Sequence, residues 1–320
     1  MRAVWLVLLL TPALAQSLPE ALQKAPEVPA VVTARLEYET RSKDLERTLQ
    51  DPLRTSLAEL QARQAVALAK AQLEQALAQA RAEIVTVYTQ ALEATLQVRL
   101  AEKALEVAKL SLKAAEIRYN GGGATSLDLL EAQNRVLEAR KNLEQARRGQ
   151  ESALASLANL VGSWTPESVT ELPPLPEPTI VAELLAAHAD LLQLKQSLER
   201  LRFQRGLLDE SFTPKKEIEA LEDQIQTLAT NLDSLERSLK VGLEARYAQL
   251  EPLLQGVKTA EEALKIAQER YAAEEARFQA GLASQLSLLQ QELNLQQAEL
   301  ALEQAKHAYL KAYYDLLSTR

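Results

Sequence analysis

The stretch Ala101-Glu102-Lys103-Ala104-Leu105-Glu106-Val107-Ala108-Lys109-Leu110-Ser111-Leu112-Lys113-Ala114-Ala115-Glu116-Ile117-Arg118-Tyr119 sets Ala101, Leu105, Ala108, Leu112, Ala115 and Tyr119 at alternating spacings of four and three. That is a heptad seam, an apolar stripe that faces a partner helix while charged residues face outward. The run from Leu53 to Asn120 contains neither Pro nor Gly. It predicts one helix roughly 100 Å long at 1.5 Å per residue. Beyond Gly121-Gly122-Gly123 the seam resumes at Leu129, Ala132, Val136, Ala139, Leu143, Ala146, Ala153, Leu157 and Leu160. Two seams joined by a short Gly-rich turn predict an antiparallel helical hairpin.

The pattern returns at an offset of 159 residues. Ala104-Leu105-Glu106-Val107-Ala108 aligns with Ala263-Leu264-Lys265-Ile266-Ala267, Arg118-Tyr119 with Arg277-Phe278, Gly122 with Gly281, and Leu143-Glu144-Gln145-Ala146 with Leu302-Glu303-Gln304-Ala305. The second seam reads Leu288, Leu295, Ala298, Leu302, Ala305, Tyr309, Ala312 and Leu316. A tandem duplication is expected, with a second long helix over the nearly Pro- and Gly-free run from Lys215 to Ala280. Between the copies, Gly162-Ser163-Trp164-Thr165-Pro166 and Pro173-Pro174-Leu175-Pro176-Glu177-Pro178 form an extended connector. Trp164 should pin that connector to the bundle. Shorter helical segments are expected over Leu18 to Gln50 and Ile180 to Glu210. Each ends at a cap-Pro pair, Asp51-Pro52 and Thr213-Pro214, which predicts a tight turn and a new helix starting at the Pro.

Composition agrees with an all-α chain. Of 320 residues, 9 are Gly, none is Cys and only 4% are aromatic. Without Cys there are no disulfides, thiol catalysis, Cys-ligated metals or Cys-linked lipids. The formal net charge of −8, with Arg147-Arg148 and Lys215-Lys216 as isolated basic doublets, excludes a nucleic-acid partner. Met1-Arg2, the apolar run Val4 to Leu10 and Ala13-Leu14-Ala15 read as a secretory signal peptide over residues 1–15, cut before Gln16. No later segment is apolar for the ~20 residues a membrane helix needs. The layout is therefore signal peptide 1–15, hairpin repeat 16–161, Pro-rich linker 162–178 and hairpin repeat 179–320. An exported protein without a helical membrane anchor is expected.

The turns of the two long hairpins read Arg118-Tyr119-Asn120-Gly121-Gly122-Gly123-Ala124-Thr125-Ser126-Leu127-Asp128 and Arg277-Phe278-Gln279-Ala280-Gly281-Leu282-Ala283-Ser284-Gln285-Leu286-Ser287. With the duplication, they resemble the TolC-type outer-membrane efflux family, whose tips read like Arg-Tyr-x-x-Gly-x-x-(Ser/Thr)-x-x-Asp. The resemblance spans nearly the whole mature chain. It implies a tube of long antiparallel coiled-coil hairpins, a homotrimer, and hairpin tips that meet a periplasmic adaptor of the membrane-fusion type. By motif position, Gly122, Thr125, Gly281, Leu282 and Ser284 would lie at the adaptor contact, and Asp128 matches the acid that constricts the tube entrance. Ser287 stands where the second tip would carry its acid. The residues by themselves leave another role open: Gly122 and Gly281 also suit left-handed turn conformations, and Asp128 also suits a helix cap.

The family's membrane β-hairpins would fall at Asp51-Pro52 and Thr213-Pro214. Neither place holds the 9 to 11 alternating residues of a membrane strand. The expectation is thus the helical part of the family without its barrel, a non-catalytic conduit or docking component of an envelope efflux or export system, with a separate outer-membrane partner to complete the path. The competing reading is a scaffolding coiled-coil protein of the envelope that has lost transport. No cofactor, metal site or enzymatic activity is expected. His188 and His307 have no ligand-spaced partners, Gly121-Gly122-Gly123 lacks the Lys-Ser/Thr of a phosphate loop, and no nucleophile elbow is present.

Overall fold

The computed structural model describes residues 15–162, 164–209 and 211–319. Apart from Ala15, the expected signal peptide lies outside the described residues. The chain is nearly all helix: α1 (Leu18–Leu22), a 3₁₀ turn (Ala25–Glu27), α2 (Pro29–Gln50), α3 (Ser56–Asn120), α4 (Ser126–Val161), α5 (Ile180–Ala187), α6 (Ala189–Leu207), α7 (Lys215–Ala248), α8 (Leu250–Gln279) and α9 (Gln285–Leu317). Among the described residues the only strands are β1 (Ala15–Gln16) and β2 (Thr165–Pro166), which pair in parallel. No described helix is long and apolar enough to cross a membrane.

The heptad reading holds most clearly for α4; of the α3 seam Ala115 is buried, while Ala101, Leu105, Ala108 and Leu112 are half-buried. The α4 seam buries Ala132, Val136, Leu143 and Leu157, and full burial of a side chain such as Leu157 stabilises by about 1.5–3 kcal/mol. Tyr119, assigned to the core by its spacing, is instead exposed, because the helix runs out at the tip before anything can cover it.

Several helix boundaries differ from expectation. The predicted helix over Lys215 to Ala280 breaks at Gln249 into α7 and α8. Pro252 has no N–H for the Ala248 carbonyl, and its ring would collide with that carbonyl. The segment Ile180 to Glu210 breaks at His188, which turns extended (ψ 122°) and caps α6 by accepting the Asp190 N–H on Nδ1 at 3.3 Å. Pro26 and Pro29 divide the segment from Leu18 to Gln50. Finally, neither long helix starts at its Pro. Asp51 ends α2 and its carboxylate accepts the Leu53 N–H at 2.8 Å, while Thr55 caps α3 by accepting the Ala58 N–H at 3.1 Å. Pro214 is itself the N-cap of α7.

The helices build two compact units. The first holds residues 15–21, Val87–Thr170 and Ile266–Glu303. In it the C-terminal half of α3 and α4 form one hairpin, tied by Arg147–Glu102 at 2.8 Å and Gln150–Thr95 at 3.2 Å. The ends of α8 and α9 form another. Lys103, nearly buried, bridges them by binding Glu106 at 2.8 Å and Glu292 at 2.9 Å. Here the start of the linker is held by Tyr88, whose hydroxyl donates to the Glu167 carbonyl at 3.0 Å and accepts the Glu167 N–H at 2.8 Å. Trp164 packs against Gly162, where an added Cβ would stand 3.7 Å from the indole nitrogen.

The second unit holds Leu22–Thr86, Glu171–Lys265 and residues 304–319. Its core includes Ile84, Leu184, Leu191, Leu243 and Tyr309. The α6–α7 hairpin is closed by Arg205–Glu222 at 2.8 Å. α3 and α6 exchange amides: Gln196 donates to the Gln64 carbonyl at 2.9 Å, and Gln64 donates to the Gln196 carbonyl at 3.2 Å and to Glu199 at 2.7 Å. Here Tyr309 and Tyr247 anchor the linker's end, donating to the carbonyls of Pro173 at 2.9 Å and Pro176 at 3.0 Å.

Candidate functional site

The two hairpin tips both lie in the first unit, and they are built alike. In the first, Gly122 sits at φ +75°. The Gly123 N–H reaches the Arg118 carbonyl at 2.8 Å and the Gly122 N–H reaches the Tyr119 carbonyl at 3.0 Å. In the second, Gly281 sits at φ +74°. The Leu282 N–H reaches the Arg277 carbonyl at 2.8 Å and the Gly281 N–H reaches the Phe278 carbonyl at 2.9 Å. Both are Schellman closures, in which a left-handed glycine turns the last carbonyls of a helix onto the following N–H groups. Three residues later each tip starts its second helix with a hydroxyl cap: Thr125 Oγ1 accepts the Asp128 N–H at 3.2 Å and Ser284 Oγ accepts the Ser287 N–H at 3.1 Å. Every one of these groups recurs at the 159-residue offset.

The tips differ in where they keep an acid. Asp128 completes a capping box, accepting the Thr125 backbone N–H and the Thr125 hydroxyl, each at 2.8 Å. The backbone N–H and then the hydroxyl of Thr125, with a smaller contribution from Arg118, hold the Asp128 carboxyl below its ordinary value. The carboxylate is exposed, and its helix-capping role is filled by these hydrogen bonds. At the second tip Ser287 replaces the acid, and its hydroxyl donates instead to Glu274 on α8. Glu274 also pairs with Arg277 at 3.1 Å and is only 8% exposed.

Glu274 was missed in the sequence reading, which took Ser287 to mean an acid-free second tip. The signal was present. Ala260, Leu264, Ala267, Tyr271, Glu274 and Phe278 are the offset images of the first seam, so Glu274 occupies a seam position, where a carboxylate needs a donor.

Between the first tip and the start of α9 lies a polar cleft of about 350 Å³, lined by Arg118, Asp128, Arg135, Leu286 and Gln290 among others. Around the tips, large apolar side chains face solvent: Ile117, Tyr119, Leu127 and Leu130 on one, Phe278 and Leu282 on the other. The six residues singled out from sequence are thus brought into two matched ends, with Thr125 and Asp128 bonded to each other and the Leu282 side chain outward. His188 and His307 are both buried, and among the described residues no three His, Asp or Glu gather as metal ligands would.

Residues 53–163 match the family model described as outer membrane efflux protein. No curated protein matches the sequence significantly. Among solved structures, the chain is similar to the Campylobacter jejuni CmeC outer membrane channel (12% identity, TM-score 0.67, covering 94% of this chain and 85% of that one). It is also similar to a membrane protein from Pseudomonas aeruginosa (15%, 0.67, 94% and 89%) and to the outer membrane protein VceC from Vibrio cholerae (15%, 0.64, 94% and 94%). At such identities the likeness is one of fold. The fold is the all-α TolC type, and among the described residues it has no barrel.

Proposed function

We propose that this chain, which carries an outer membrane efflux protein domain in a TolC-type helical fold, is a non-catalytic conduit component of an envelope efflux system and docks a periplasmic adaptor through its two hairpin tips. The observation that carries this reading is the matched construction of the tips. The same closure and cap recur, and each end presents exposed apolar side chains that no intramolecular packing requires. An adaptor helix end would find rigid turns at Gly122 and Gly281, and apolar contact at Leu127 and Leu282, with Thr125 and Ser284 close by. A conduit requires no catalytic group, only a stiff wall, which long seam-packed helices provide. Asp128, repeated around a trimer, would set an acidic ring at the entrance.

The chain passes from α2 to α3 and from α6 to α7 through short connections, which favours a separate outer-membrane partner over a pore made by this chain alone. It also keeps the scaffold reading in play. The test is oligomeric mass together with site-specific photo-crosslinking. The mature protein should be a trimer by light scattering, and a crosslinker at Leu282 or Thr125 should trap an adaptor in cells while one at exposed Val241 should not. A species that stays monomeric over a wide concentration range, with no tip-specific crosslink, would leave the scaffold reading.

A further inference from the structure

In the second compact unit, α2, α3 and α6 enclose a polar cleft of about 470 Å³. Glu37 and Arg41 line it from α2, Gln64 and Leu68 from α3, and Gln196 and Arg200 from α6, each pair one helical turn apart. Both repeats contribute at matching places. Arg41 and Arg200 stand 159 residues apart, and so do Glu37 and Gln196. In α2 the arginine is neutralised by the carboxylate one turn before it, with Arg41 Nε donating to Glu37 at 2.7 Å. In α6 that carboxylate is replaced by the amide of Gln196, whose Nε2 donates to the Gln64 carbonyl at 2.9 Å. Arg200 is half-buried and donates to the Ser197 hydroxyl at 2.9 Å. It meets no carboxylate within ion-pair distance among the described residues.

Glu199, beside it in sequence, is engaged elsewhere, accepting Gln64 Nε2 at 2.7 Å. That bond, with one from Nε2 to the Gln196 carbonyl at 3.2 Å, fixes which end of the Gln64 amide is which. Gln64 Oε1 is therefore an acceptor only. It is buried without a hydrogen-bond partner among the described residues, on a residue just 7% exposed. A buried acceptor in that state carries a desolvation cost that a donor would recover. One uncompensated cation and one unpartnered acceptor, on adjoining helices of the same cleft, call for an anion and a donor on one molecule. We infer that the cleft binds a small carboxylate with a hydrogen-bond donor beside it, the chemistry of a peptide C-terminus or of a hydroxy acid. The carboxylate pairs with the planar fork of Arg200 through two N–H groups, and the adjacent N–H or O–H completes Gln64. A single negative charge matches the single free cation, whereas a dianion would lack a second partner and face Glu37 and Glu199. The volume is that of a small-molecule site. The inference does not rest on adaptor docking, since the hairpin tips belong to the other unit.

The full mature chain is titrated by calorimetry with N-acetylalanine and with lactate, which carry a carboxylate beside an N–H and an O–H respectively. Saturable binding of at least one is expected, and the better of the two tells a peptide end from a hydroxy acid. Propionate, which lacks the donor, should bind roughly threefold or more weaker. N-acetylalanine amide, which lacks the charge, should bind roughly tenfold or more weaker, and Arg200→Gln should weaken the acids equally. Gln196→Glu recreates in α6 the pairing seen in α2 and should weaken binding as Arg200→Gln does. Arg140→Gln, on the exposed face of α4, should bind as wild type does. In the wild-type protein the Gln64 side-chain amide resonance should move on titration. The inference is overturned if neither acid binds saturably, which would leave Gln64 served by water alone, or if propionate or sulfate binds as tightly as the better acid. It is equally overturned if Arg200→Gln with unchanged circular dichroism binds like wild type, if Arg140→Gln weakens binding as much, or if the Gln64 resonance stays still.

Discussion

At the second hairpin tip the Ser287 hydroxyl donates to the carboxylate of Glu274, tying the start of α9 to the end of α8 across the turn. Glu274 is nearly buried, and its other partner is Arg277, one turn along its own helix. A buried carboxylate deprived of a donor keeps its desolvation cost. Ser287→Ala should therefore destabilise the tip by about 1.5–3 kcal/mol, the range for hydrogen bonds to charged groups. Glu274→Leu, which removes charge and donor need together, should cost less. Hydrogen exchange at the amides of 278–288 would read the difference, and equal protection in Ser287→Ala and wild type would show that the bond carries no weight.

Gly122 and Gly281 carry positive φ, and a Cβ at either would meet nothing within 4 Å. Substitution by Ala should thus cost only the left-handed backbone strain, about 1–2 kcal/mol. Gly149, also in open space but inside α4, is a contrast. Gly149→Ala should stabilise by roughly 0.5–1 kcal/mol, because helix formation no longer restrains so free a residue. Denaturant midpoints at constant slope would report the opposite signs.

These elements show how far the residues alone could be read. Seam spacing predicted α3 and α4 because a period near 3.5 has one helical solution, and Gly122 and Gly281 marked the turns because few residues adopt the left-handed conformation that closes a helix; the hydroxyl caps of Thr125 and Ser284 were not legible in the same way. The break at His188 was not legible, as neither Pro nor Gly marks it and the cap is made by a side chain rarely used so. The start of α3 at Ser56 was missed because Asp51-Pro52 reads as a cap while serving the preceding turn. Glu274 was hidden for a different reason: its partner comes from the other helix, and one-strand periodicity does not show which polar groups meet.

The linker's tyrosine anchors make a prediction at high pH. Burial pushes the hydroxyls of Tyr88 and Tyr309 up to about 12. A folded-state value above the unfolded one near 10 means that the native state holds its proton longer. Stability from these groups is fully present below pH 10 and is lost as pH rises toward 12. Tyr88→Phe would leave the Glu167 N–H and carbonyl without their shared partner, at about 1–3 kcal/mol, and would flatten part of the alkaline slope. Thermal melts across pH 9–12 should show both effects, and a slope unchanged in Tyr88→Phe would dissociate the linker anchor from alkaline unfolding.

Asp128 makes the complementary prediction at low pH. Its carboxyl lies below the ordinary value because the charged form accepts the Thr125 N–H and hydroxyl, with the Arg118 charge as a lesser cause. The folded state therefore binds its proton less readily than the unfolded chain. The stabilisation is present above the unfolded aspartate value near 3.9 and is lost as pH falls through the lower folded one. The first turn of α4 should fray in that window while the second tip, capped by the neutral Ser284 hydroxyl, does not fray through its cap. Amide exchange at Thr125 and Asp128, followed as pH falls, should rise with Asp128 protonation. Asp128→Asn should show raised exchange already at neutral pH with the acid step removed. Since Asp128 is exposed and held mainly by hydrogen bonds, added salt should shift this behaviour little. A large salt effect would instead assign it to the Arg118 charge.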